Sequence, residues 1–345
     1  MSGQGEYRTE LSALGEFGLI EHLTKEIKLI NPSTVLGVGD DAAIIDNTGF
    51  QTLVTVDLLV EGVHFDLTYT PFRHLGYKAA AVNISDIAAM NGQAKQIVVG
   101  LAVSNRFPLE AIEEIYEGMR MACKRYKVDL VGGDTTSSNS GLFISVTAIG
   151  QVENGKVCLR KGASPNDLIC VSGDLGAAYA GLLLLEREKA EFKANPNMQP
   201  DLEGHDYVLE RQLKPEPRVD VIEQLAAAGI HPTSMIDISD GLASELMHLC
   251  KASELGCRVY EDKIPIDSAT INVVEEFNMV STIAALNGGE DYELLFTIHQ
   301  SDFEKLRKVD AISVIGHMTE EKQSYLITND NQALELKAQG WDGLK

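Results

Sequence analysis

The stretch GVGDDAAIID, Gly37 to Asp46, places two adjacent carboxylates inside an apolar run. Val35, Leu36 and Val38 precede Asp40 and Asp41, and Ala42, Ala43, Ile44 and Ile45 follow. Flanks this apolar predict a segment heading into a core, with Ala42–Ile45 as a strand. An ionised Asp is rarely buried unless it is paired or binds a metal. The pair therefore marks either a surface turn or a place where a cation holds two charges. The rest of the chain has to decide which.

The same residues mimic a dinucleotide fingerprint. GVGDDA fits G-x-G-x-x-A, and Asp57 follows twenty residues after Gly37. That motif needs a helix behind its glycines. Here AAIID is strand-like, and two Asp would face a pyrophosphate with like charge, so the fingerprint is rejected. GQVENGKV, Gly150 to Val157, resembles a P-loop but ends in Val where a hydroxyl must meet magnesium. Asn154-Gly155 inside it is a hairpin signal, with strands expected on both sides.

The chain has 345 residues, enough for a sizeable core and two domains. At 44% hydrophobic and 23% charged it has the composition of an ordinary globular protein. No apolar run is long enough to span a bilayer. The first residues, MSGQGEYRTELSALGEF, lack a basic start and an apolar signal core. Five cysteines, an odd number and without C-x-x-C, suit a reducing cytoplasm and argue against a disulfide framework or a zinc site. The net charge of −22 disfavours nucleic acid as a partner. It fits plain solubility, or a set of carboxylates that ligate metal.

Phe17, Ile20, Leu23 and Ile27 predict a helix near Leu14–Ile30. Strands are expected at Thr52–Asp57 and Gln96–Val103, and helices after Pro71 and over Pro108–Tyr126. VDLVGGDTT reads as a strand running into a glycine turn. After Lys161 the pattern restarts with a strand in NDLICVSG, helices over Asp174–Lys189, Pro217–Ala228 and Asp240–Ser253, and strands in SMIDIS, Tyr292–Ile298 and Ile312–Ile315. A short helix falls between the last two, at Asp302–Lys308, and Ala194–His205 is a surface loop. The mix predicts an α+β or α/β protein in two halves, 1–155 and 156–345. NISDIAA (Asn83–Ala89) and DISDGLA (Asp237–Ala243) echo each other, as related halves or as chance would have it.

Acidic residues recur beside glycines, hydroxyls and apolar segments. They are Asp40-Asp41, Asp57, Asp86, Asp134, Asp237 with Asp240, and Glu290-Asp291. Only 29 Lys and Arg face 51 Asp and Glu, so divalent cations are the economical counter-charge. Magnesium prefers oxygen ligands and shares substrate phosphates. A site with several such ions suits a reaction between two anions, such as a phosphate oxygen attacking the γ-phosphorus of ATP. That nucleophile is largely ionised near neutrality, so no general base is required. The sequence shows no Ser/His/Asp or Cys/His arrangement.

The ordered set GDDAA, VDLLVEGVHF, AVNISDIAAM, GGDTT, LRKGASPND, IDISDGL and GGEDYELLFT resembles the thiamine-phosphate kinase family, within the aminoimidazole ribonucleotide synthetase superfamily. The likeness runs from about Leu14 to the C-terminus. It implies that superfamily's fold: an N-terminal mixed sheet forming a dimer barrel, plus a C-terminal α/β domain. It further implies ATP-dependent phosphorylation of thiamine monophosphate to thiamine diphosphate by direct in-line transfer, with several Mg2+ ions, in a cytoplasmic homodimer. Carried over by motif, the metal ligands are Asp41, Thr55, Val56, Asp57, Asp86, Asp134, Asp237 and Asp240. ATP falls to Tyr116, Gly133, Asp134, Arg160 and Ser239, and the thiamine substrate to His64, Glu290 and Trp341. Two positions depart from the family pattern. Val56 stands where a hydroxyl is common and offers only its carbonyl, and Lys161 stands where Ser is common. Rival readings are another enzyme of the superfamily, a binding protein that kept the fold, or an acidic dimer with surface carboxylates. The first Cys is Cys123 and the chain ends GWDGLK, which disfavours the selenophosphate synthetase and hydrogenase-maturation branches.

Overall fold

A computed structural model describes residues 34–36, 40–41, 43–47 and 49–338. The helix expected near Leu14–Ile30 and the residue Trp341 lie outside the described residues.

The N-terminal half is one sheet in the order β1-β2-β3-β6-β4-β5. Its strands are β1 (Thr34–Leu36), β2 (Ala43–Asn47), β3 (Phe50–Val60), β4 (Gln93–Val103), β5 (Asp129–Ser137) and β6 (Leu142–Glu153). β3 outruns its expected Thr52–Asp57 because it pairs with β6 along its whole length, Phe50 opposite Glu153 to Val60 opposite Phe143. β6 alternates buried and half-buried residues over most of its length, as a sheet covered on one face demands.

Helices α1 (Phe72–Ala89) and α2 (Leu109–Tyr126) cover that face. Each follows a proline in extended conformation, Pro71 and Pro108, which fixes its start. A Cβ on Gly76 of α1 would lie 1.8 Å from the Ile115 carbonyl oxygen, and one on Gly118 of α2 1.9 Å from that of Arg73. The two helices therefore touch backbone to backbone. From Leu75 to Ala89 nearly every residue of α1 is buried, many of them small, because both of its sides are covered. Its Ala88 and Ala89 belong to a core shared with Val221, Leu225 and Phe296 of the C-terminal half.

Two local expectations fail for instructive reasons. β5 does not turn at Gly132-Gly133 but runs through them, parallel to β4. Pairing steps from Leu130 to Gly132 against Ile97 and Val98, so Val131 is the extra residue of a bulge. A Cβ on Gly133 would lie 2.1 Å from the Val99 carbonyl oxygen, so this glycine serves close strand approach. Asn154-Gly155 does form a tight turn, Lys156 N–H bonding to the Glu153 carbonyl at 2.9 Å. No strand follows it. The chain crosses instead to the second half, where Met235 N–H donates to the Leu159 carbonyl at 2.9 Å.

That half is a sheet in the order β13-β12-β9-β11-β7-β10-β8. The strands are β7 (Leu168–Ser172), β8 (Ser234–Asp237), β9 (Gly256–Tyr260), β10 (Leu294–Ile298), β11 (Ile312–Thr319), β12 (Ser324–Ile327) and β13 (Ala333–Glu335). Helices α3 (Ala177–Ala194), α4 (Asp206–Leu213), α5 (Val219–Ala228) and α6 (Leu242–Ser253) precede α7 (Ser268–Glu276), α8 (Ser281–Asn287) and the short α9 (Phe303–Leu306). The described helices include none long and apolar enough to cross a membrane. The two echoing segments do not occupy equivalent elements. NISDIAA lies within α1, whereas DISDGLA runs from the end of β8 into α6.

Candidate active site

A cavity of about 780 Å³ opens between the halves. Strand β3 supplies its first polar groups by alternation. Thr55 and Asp57 turn towards α1, while Val56 between them is exposed on the opposite face. The Val56 side chain is 61% exposed, and the residue still borders the cavity. Thr55 Oγ1 donates to Asp86 of α1 at 2.5 Å, and Asp57 N–H donates to the side-chain oxygen of Asn83 at 3.2 Å. Ser85 of α1, directly before Asp86, donates to Asp237 at the end of β8. The two echoing segments thus meet face to face at the site.

Asp41, Asp86 and Asp237 converge there. One carboxylate oxygen from each lies within 4.8 Å of the others. Arg160 supplies the nearest counter-charge, its guanidinium donating to Asp41 and its backbone N–H to Asp40 at 3.1 Å. Asp40 also accepts from Asp41 N–H at 3.0 Å, which locks the turn. The other Asp41 oxygen, Oδ2, is buried without a hydrogen-bond partner. Burial, and then neighbouring carboxylates, push Asp57 up to about 6 and Asp237 up to about 7. Burial followed by repulsion from Asp57, Asp237 and Asp41 holds Asp86 well above the carboxylate range. One arginine does not neutralise this set. All-oxygen donors, a close triad and an orphaned buried oxygen fit a hard divalent cation.

Ser239 and Asp240 line the cavity from the turn between β8 and α6. Glu245 of α6 reaches back to accept Asp240 N–H at 3.1 Å, a capping contact that fixes this turn. His248, one turn on, also lines the cavity, and burial pushes it down to about 4. The GGED segment is held against the same turn. Glu290 and Tyr292 both adopt the left-handed conformation, with φ of 63° and 51°. Their N–H groups donate to the Ser239 and Ile238 carbonyls at 2.7 and 2.8 Å. Strain of this kind persists only where surrounding structure imposes it. It aims Glu290 at Lys78, a buried lysine of α1 whose ammonium pairs with the Glu290 carboxylate. His64 lines the cavity from the turn after β3, its Nδ1 accepting Val60 N–H at 3.0 Å.

Of the residues expected at the site, Asp41, Thr55, Val56, Asp57, His64, Asp86, Arg160, Asp237, Ser239, Asp240 and Glu290 line this one cavity. Tyr116, Gly133 and Asp134 do not. Tyr116 borders a separate surface groove with Arg73 and Arg120. Gly133 and Asp134 lie on the exposed edge strand β5. Sequence reasoning missed Lys78, Gln212, Glu245 and His248. Only Lys78 carried a signal, as a lone charge within the small apolar run GYKAAAV.

Two family models match the chain, the AIR synthase related protein N-terminal domain over residues 39–152 and its C-terminal domain over 164–329. Thiamine-monophosphate kinase of Bacillus subtilis is 38% identical over 96% of the chain and 100% of that protein. The structure of AaThiL complexed with AMPPCP and TMP superposes with a TM-score of 0.84 at 30% identity, over 98% of this chain and 99% of that one. Hydrogenase maturation protein HypE in complex with ATP shares the fold, with a TM-score of 0.69 at 19% identity over 98% of this chain and all of that one. On these grounds the chain belongs to the thiamine-monophosphate kinase family of AIR synthase related proteins.

Proposed function

We propose that the protein transfers the γ-phosphoryl group of ATP to the phosphate of thiamine monophosphate, giving thiamine diphosphate and ADP. The observation that carries this reading is the convergence of Asp41, Asp86 and Asp237 from both halves of the chain into one cavity. In the transfer, the bond from the γ-phosphorus to the bridging oxygen of ADP breaks as a bond to a phosphate oxygen of the acceptor forms. The acceptor oxygen is already largely ionised near neutrality, so no side chain has to remove a proton. The catalytic problem is to hold two polyanions in line.

Asp41, Asp86 and Asp237 would hold Mg2+, with Asp57, Asp240, the Thr55 hydroxyl and the Val56 carbonyl as further oxygen donors. Several such ions would supply the counter-charge that lets the two anions approach and that offsets charge in the transition state. Arg160 adds a fixed fork suited to a phosphate. The turn that carries Ser239 holds the nucleotide, while His64, Glu290 and Trp341 hold the thiamine end. Tyr116, Gly133 and Asp134 complete the nucleotide contacts in this reading, although they stand outside the cavity of a single protomer.

The same reading includes a homodimer. β5 is an edge strand exposed on nearly every residue, its Val131 among them, and Val56 and Leu58 of β3 expose apolar surface on the sheet face away from the helices. Unpaired edges and apolar patches of this kind favour association. Residues 1–155 then form the ATP-binding, metal-binding and dimerising domain, and 156–345 the second domain. Five free cysteines, all buried, are compatible with a cytoplasmic enzyme.

The test is turnover of purified protein with ATP, thiamine monophosphate and magnesium, quantifying thiamine diphosphate and ADP against an EDTA control. Product dependent on magnesium supports the reading. No product, with ATP still bound, would move the protein to another branch of the superfamily or to a binding role.

A further inference from the structure

Lys78 draws two more residues into one corner of the cavity. Its ammonium pairs with Glu290 and also donates to the Gln212 main-chain carbonyl at 3.1 Å. Gln212 sits in the last turn of α4, and a Cβ on Gly181 of α3 would come within 3.0 Å of its Cβ. Close packing against α3 thus fixes where the side chain starts. Gln212 is only 8% exposed, lines the cavity, and its side-chain oxygen has no hydrogen-bond partner. A buried amide left unpaired is costly, and most such groups have a partner. Leu or Met would fill the same volume without the penalty.

A primary amide presents an acceptor and a donor side by side. Its complement is a ring edge with an amino group next to an unprotonated ring nitrogen, the pairing by which Gln reads adenine. The pyrimidine of thiamine carries such an edge. We propose that the Gln212 side-chain amide binds the amino-bearing edge of the substrate's pyrimidine and so selects the ring that the enzyme accepts. This rests on the thiamine monophosphate kinase reading and adds a specificity residue to it. Lys78 holds the corner together by tying the Gln212 backbone to Glu290.

The test is a cycle of variant against substrate. Wild type, Gln212→Met and Gln212→Asn are compared on thiamine monophosphate and on its deamino analogue, in which hydrogen replaces the pyrimidine amino group. In the wild type the analogue should have a KM about tenfold higher. Gln212→Met should raise KM for thiamine monophosphate about tenfold, leave KM for ATP in place and abolish the preference between the two substrates. Gln212→Asn keeps the amide but shortens its reach, and should give the same collapse if Met disturbs folding, which melting curves will show. Equal KM increases on both substrates would overturn the proposal and leave Gln212 a packing residue. A wild type that phosphorylates thiamine monophosphate but ignores the missing amino group overturns the proposal alone. A wild type inactive on thiamine monophosphate overturns the kinase reading and this proposal together.

Discussion

The guanidinium of Arg160 donates to the carboxylate of Asp41, joining the segment after β6 to the turn before β2 across 119 residues. The pair is unequal. Asp41 keeps one buried oxygen unpartnered, and Arg160 is shared with Asp40. Asp41→Ala should lower kcat by at least about a hundredfold, the scale seen when a group that stabilises transition-state charge is removed. The melting temperature should stay close to that of the wild type. Near-normal turnover with an unchanged fold would sink the role given to Asp41.

Arg160→Lys keeps the charge but loses the planar fork. It should raise KM for ATP roughly ten- to a hundredfold, the range for a hydrogen bond to a charged group. Steady-state kinetics with ATP varied would check this. An unchanged KM for ATP would leave Arg160 as a partner of Asp40 and Asp41 only.

The carboxylate cluster gives the metal-free protein a pH-dependent stability. Asp57 and Asp237 are raised from 3.8 to about 6 and about 7, by burial first and then by neighbouring charge. For a raised pKa, the favourable contribution is complete below the unfolded value and is lost as pH rises through the folded one. In EDTA the melting temperature should therefore fall between about pH 4 and about pH 7. Magnesium added at about pH 8 should recover most of the loss, because the cation binds the ionised form. Calorimetry in both conditions gives the comparison, and a flat profile in EDTA would refute the repulsion argument.

Glu293 is 1% exposed at its side chain and accepts from Arg211 at 2.7 Å and Arg218 at 2.6 Å, with Ser172 as a third partner. Glu293→Ala removes the one carboxylate that the two largely buried guanidiniums share, leaving Arg218 with Asp220 and Arg211 with the Asp174 carbonyl and Asp291. It should destabilise by about 3–5 kcal/mol. Denaturant titration would measure it, and a loss under about 1 kcal/mol would mean that water replaces the carboxylate.

What the sequence revealed depended on how local its signals were. Prolines 71 and 108 marked the starts of α1 and α2 within a residue or two, since proline sets its own φ. The motifs around Asp41, Asp57, Asp86, Asp237 and Glu290 put their carboxylates in one cavity, although they span 250 positions and both halves. The glycines before Asp134 misled, because a bulge and a turn draw on the same residue type. β1, β9, β12, β13, α4, α7 and α8 went unread. α7 did have a local mark, Asp267 accepting Ala269 N–H at 2.7 Å as its N-cap. Gln212 and His248 had none, because an ordinary residue becomes part of a site only when a distant chain segment closes over it.

α1 is wedged between the two sheets, with one flank in the core of each half. Heat should therefore dissolve both halves in a single calorimetric transition. Severing the chain near residue 155 should yield two fragments that recover native structure only when mixed.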